Sequence, residues 1–138
     1  MATNSEIYTL HKYYIWANSM RVHYDKFFQR EKPDMKNKEV FFEVIQYMSF
    51  WYSALFVVVE GWRDLGLEDE RINELLDSHL VDLLRRFRNG VFHYQRNYFD
   101  NRFWNFIEEK EESASWVRVL NREFGRYFLT WAKEQNNE

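Results

Sequence analysis

The stretch from 85 to 97, "RRFRNGVFHYQRN", gathers most of what this chain offers to chemistry. Arg88 and Asn89 precede His93, with Arg85, Arg86 and Arg96 around them and Tyr94 and Tyr98 close behind. A guanidinium holds and neutralises a phosphate through paired N–H groups. An imidazole titrates near neutrality and can take or give a proton. An Arg and a His side by side are what phosphodiester cleavage requires without a metal. In RNA the 2′-hydroxyl is an internal nucleophile, which suits a chain with no Cys and no evident serine triad. Asn89 is placed to cap a helix end or to hydrogen-bond the imidazole.

For this pair to meet, the helix carrying Arg88 must stop before Gly90. Five residues apart on an unbroken helix, Arg88 and His93 would point about 140° apart. Gly makes such a break cheap and is the usual residue just past a helix end. Five arginines between 85 and 102 (85, 86, 88, 96, 102) face Asp100 alone, whereas seven acids lie between Glu60 and Asp77. The arginines suit an anion-facing patch and equally a solvated helix face that balances those acids.

The elements that must position these residues read as helices. At 138 residues, 46% hydrophobic and 20% aromatic, the chain reads as a single domain, 1–138, with a real core. One Pro and four Gly leave few turns for a many-stranded sheet. The periodicity predicts a first helix from Ser5 to Arg30, with Thr3, Asn4 and Ser5 as N-cap choices. "REKPDMKNK" breaks it, since Pro33 disfavours helical geometry at Lys32. A second helix is expected over Lys38 to Asp64, apolar on nearly every side around 47–59, so that it must be covered all round, by the bundle or by another subunit. After the link "DLGLEDER" a third is expected from Glu70 to Asn89–Gly90. A shorter fourth holds Phe99, Phe103, Trp104 and Phe106, and a last one carries Trp116 to Trp131. The fold class is all-α: a bundle of four main helices plus a short one, with the tryptophans and nearly all Phe residues in the core.

Other chemistries find little footing. No His has Glu three residues before it, no two His lie three or four apart, and no phosphate-loop, dinucleotide or hydrolase-elbow motif occurs. No metal site and no cofactor are expected. His11, His23 and His79 lie within helical segments without an evident charged partner. The opening residues lack a basic start followed by an apolar run, and the run from Met48 to Val59 is too short to span a bilayer. The expectation is a cytoplasmic protein without a membrane partner.

"RNGVFH" resembles the signature of the HEPN superfamily (higher eukaryotes and prokaryotes nucleotide-binding): an Arg, then a polar residue, then a His after four to six intervening residues. Here these are Arg88, Asn89 and His93. The resemblance implies a helical bundle with the motif towards the end of its third major helix. It also implies a metal-independent endoribonuclease, a toxin or phage-defence effector, working as a homodimer with two motifs in one composite cleft. On that likeness Arg88 binds the scissile phosphate, His93 serves as acid or base, and Asn89 orients them. Arg85, Arg86, Tyr94, Arg96 and Tyr98 would contact RNA, the tyrosines by stacking, while Phe92 is expected to pack. Gln95 stands where one toxin branch carries a Tyr modified by a partner nucleotidyltransferase. An antitoxin or other partner protein is implied for toxin members. The runner-up is a non-catalytic dimeric module of the same type, binding a nucleotide, RNA or a protein.

Overall fold

The computed structural model describes residues 1–30 and 33–137, the side chains of Arg30 and Lys110 excepted. Among those residues six helices form, and they make the all-α bundle that the sequence predicts: α1 (Asn4–Arg30), α2 (Lys38–Asp64), α3 (Glu70–Leu76), α4 (Leu80–Phe92), α5 (Asn101–Ile107) and α6 (Lys110–Asn136). The effect of Pro33 on Lys32 concerns a residue outside those described.

Local chemistry explains the helix ends. Thr3 opens α1 with a reciprocal cap: its Oγ1 accepts from the Glu6 N–H at 3.1 Å, and the Glu6 carboxylate accepts from the Thr3 N–H at 3.2 Å. Asn37 caps α2 by accepting from the N–H groups of Glu39 and Val40. At the other end, Gly66 has φ 64°, and the N–H groups of Gly66 and Leu67 bond back to Arg63 and Trp62. That is a Schellman stop, and it needs a residue without Cβ strain.

The long third helix expected from Glu70 to Gly90 is corrected in two places. It breaks at Asp77–His79, where Ser78 Oγ accepts from the Leu80 N–H at 3.1 Å. The last carbonyls of α3 are taken by side chains from elsewhere: the Trp116 indole donates to Leu75 at 3.0 Å, and Arg63 donates to Leu76 at 3.3 Å. At Gly90 no break occurs, and α4 continues to Phe92. Gly90 is buried under α5; a Cβ there would lie 3.0 Å from Arg102 Cβ and 3.4 Å from the Phe103 ring. Its smallness serves a close helix crossing. The short helix likewise starts at Asn101, after Phe99, with Asp100 as its cap.

α2 lies at the centre, with Trp51, Leu55, Val58, Val59 and Trp62 buried. α1 runs antiparallel to it, Leu10 meeting Gly61 at one end and His23 stacking on Tyr47 at the other. α4 covers another side through Tyr52–Phe87, and Phe106 of α5 closes on both rings. α6 runs parallel to α2, from Trp51–Asn121 to Trp62–Tyr127. By length and composition α2 is long and apolar enough to cross a membrane, and more than half of its most apolar 18 residues are buried in the bundle.

Fewer aromatics are core than expected. Trp51, Trp62, Trp116 and Trp131 are buried, but Trp16 is 54% exposed. Phe42, Phe50, Phe92 and Phe99 also face solvent. The bundle has too little interior for thirteen phenylalanines.

α1 and α6 are tied by Asp25, which accepts from Arg21 at 2.7 Å and from Arg118 at 2.7 Å. Burial alone would push the Asp25 carboxyl up, but hydrogen bonds and charge from Arg118 and Arg21 outweigh it and hold it low. A carboxyl held low stabilises the fold above its ordinary pKa and loses that contribution as pH falls through the folded value. Asp25→Asn should therefore shrink the stability lost in urea titrations below about pH 4; an unchanged loss would assign it to other carboxylates.

The glycines give a second test. Gly66→Ala puts a Cβ in the left-handed region, at a cost of about 1–2 kcal/mol. Gly90→Ala gains up to about 1 kcal/mol in helix propensity. Arg102 Cβ moves only with its backbone, so overpacking of about 1–3 kcal/mol should win. Both variants should unfold at lower urea than wild type; a stabilised Gly90→Ala protein would mean that α5 sits away from α4.

Candidate functional site

Since α4 is unbroken through Phe92, Arg88 and His93 leave it in different directions. Arg88 turns to α2: its Nη1 meets Glu60 Oε1 at 2.5 Å, and its guanidinium lies 4.9 Å from the Phe56 ring centroid. Its Nε donates to Asn89 Oδ1 at 3.0 Å. The Asn89 side chain thus bonds Arg88 and not the imidazole; its backbone carbonyl accepts from the His93 N–H at 3.0 Å.

His93 caps the end of α4 in extended conformation, φ −115° and ψ 123°. Its carbonyl accepts from Gln95 Nε2 at 2.7 Å, and Gln95 Oε1 accepts from Arg102 at 2.8 Å, so the turn into α5 is pinned. The exposed imidazole borders an apolar cavity of about 320 Å³ between α2, α4 and α5, walled by Phe41, Met48, Tyr98 and Trp104 among others. Arg88 does not line it. Within one chain the structure brings Arg88 to Asn89, and not to His93.

The arginine patch is smaller than the sequence suggests. Arg85 pairs with Asp82 at 2.7 Å, Arg88 with Glu60, and Arg102 with Asp100 at 3.3 Å. Asp82 and Glu60 lie outside the window in which Asp100 stood alone. Arg86 and Arg96 make no ion pair among the described residues. Of the other expected contacts, Tyr94 is 93% exposed, and Tyr98 is exposed edge-on to Phe42. Phe92, expected to pack, stacks on Phe50 with both rings still in solvent. Together these rings make an exposed aromatic face beside His93, which residue spacing on single helices does not reveal.

His79 does have charged neighbours. It lies in the α3–α4 break, 3.9 Å from Glu109, and with Glu112 offers three ligand-type atoms within 4.8 Å of one another at the surface. Its partners are thirty residues on, beyond the reach of spacing rules. No protein-family model matches the sequence, and no curated protein or solved structure matches it.

The Arg88–Glu60 pair is half-shielded, with Arg88 the more buried partner. A double-mutant cycle with Arg88→Ala and Glu60→Gln should give a coupling of up to about 1 kcal/mol, smaller at high salt. A coupling of zero at low salt would mean that Arg88 is free in solution.

Proposed function

We propose that this chain is a HEPN-like, metal-independent endoribonuclease, a toxin or phage-defence effector, whose site is completed by a second copy. The observation that carries the reading is the divergence of Arg88 and His93 across an unbroken α4. A cleavage site that uses both has to draw them from two chains. His93 is exposed at a helix end and free to approach a phosphate, and Phe50, Phe92, Tyr94 and Tyr98 offer apolar area around it. Paired in a dimer, these rings would cover one another or stack on unpaired bases. In this reading Arg88 holds the scissile phosphate, and His93 moves the proton of the 2′-hydroxyl or of the leaving oxygen. Asn89 fixes the Arg88 guanidinium, and Arg86 and Arg96 line the groove, with Arg85 at its edge. RNA and a second copy are its partners, with an antitoxin if it is a toxin.

One observation favours the second reading, a non-catalytic dimeric module that binds RNA, a nucleotide or a protein. Glu60 already satisfies Arg88, so phosphate must displace a carboxylate to reach it.

Purified protein separates the two readings. The nuclease should run as a dimer at micromolar concentration and cut RNA in EDTA, leaving 2′,3′-cyclic phosphate ends and sparing DNA. His93→Ala and Arg88→Ala should each slow cleavage by about a hundredfold to ten-thousandfold. His93→Ala removes an exposed side chain and should cost no more than about 1 kcal/mol of stability. Intact RNA with wild-type protein, or equal cutting by His93→Ala, would leave only the binding module.

A further inference from the structure

A polar cavity lies along the seam of α1 and α6. It encloses about 440 Å³ and is lined by Tyr14, Asn18, Arg21, Arg118, Asn121 and Arg122. Its hydrogen bonds are unevenly distributed. The amide and carboxylate acceptors are taken: both Asp25 oxygens by Arg21 and Arg118, Asn18 Oδ1 by Arg21 Nε and Asn121 Nδ2, and Asn121 Oδ1 by the Trp51 indole. Donors are left over. Arg21 Nη2, Asn18 Nδ2 and the whole Arg122 guanidinium bond to nothing among the described residues.

The charges are unbalanced in the same sense. Three guanidinium groups face the cavity and Asp25 is the one carboxylate bonded into their network, which leaves a surplus of two positive charges. The frame is rigid. Asn121 is 3% exposed, and the Arg118 guanidinium lies 5.4 Å from the Trp51 ring and 6.0 Å from that of Tyr24. Gly125 lets the Tyr14 hydroxyl lie against α6, where a Cβ would collide with it. A surplus of donors, spent acceptors and a net charge of two describe a seat for an oxyanion of charge near −2.

We propose that this cavity binds a phosphate monoester dianion, free or carried on a sugar or an RNA 5′ end. A phosphodiester carries a single negative charge and would leave the surplus half unmatched; a monoester carries about −1.5 to −2 at neutral pH. Arg122 closes on the ligand, while Arg21 and Asn18 donate from a network that folding has already fixed. This site is independent of the ribonuclease reading and shares no residue with it.

Titration calorimetry on the full chain tests it, with ribose 5-phosphate, inorganic phosphate and dimethyl phosphate as probes. The first two should bind at a single site and dimethyl phosphate should not. Arg122→Gln should weaken binding by about tenfold to a hundredfold. Its melting temperature in phosphate-free buffer should match wild type, because Arg122 holds nothing in place there. Arg122→Lys should bind with intermediate affinity. An RNA trinucleotide with a 5′-phosphate, set against its 5′-hydroxyl form, separates the sources: tighter binding than ribose 5-phosphate, lost with the phosphate, assigns an RNA end, and otherwise the ligand is a small monoester. Failure of both monoester probes to bind, binding untouched by Arg122→Gln, or dimethyl phosphate binding as well as ribose 5-phosphate would overturn the proposal.

Discussion

Burying α2 is the requirement that orders the rest of this fold. Its apolar residues leave no polar side wide enough to face water along its middle, so helices must come from several directions. α1 covers it with a long antiparallel contact, α6 reaches it through the side chains of Asn121, Phe124 and Tyr127, and α4 with α5 closes the remaining side. A buried polar link ties α2 to α6, the Trp51 indole bonded to Asn121. That bond sets the height of α6 against α2, and with it the position of Arg118 and Arg122 along the seam.

The sequence made the long helices plain because their signals are local. Periodicity and the cap choices at Thr3 to Ser5 place α1 and α2 nearly to the residue. The same local rules misplace the third helix. Gly66 and Gly90 look alike in sequence, yet one takes φ 64° to end a helix and the other is helical to admit a neighbour. Only knowledge of what crosses at each point distinguishes them. The break at Asp77–His79 carries no Gly or Pro; it depends on donors from Trp116 and Arg63, one of them 41 residues along the chain. Ser78 was the visible hint, since Ser hydroxyls compete for backbone partners.

The candidate site was legible as a set of residue types and much less as an arrangement. Spacing could say that Arg88 and His93 diverge on a continuous helix, but the choice of Gly90 as a stop reversed that conclusion. The partners that quench Arg85 and Arg88 come from Asp82 and from α2, outside the stretch that held the arginines. The seam cavity left no motif, because its arginines and asparagines lie about a hundred residues apart and meet only when α6 docks on α1.

Borrowed hydrogen bonds also make one helix dependent on the others. At seven residues α3 is shorter than the roughly 12–15 needed for a helix to hold by itself in water. The Leu76 carbonyl finds its donor on Arg63 of α2, and the Leu75 carbonyl, which already accepts from the Ser78 N–H, gains the Trp116 indole of α6. The α1–α2 hairpin can form early from contacts close in sequence, whereas α3 is a product of assembly. A helix held this way has little stability of its own, so its persistence is tied to the packing of α2 and α6 against it.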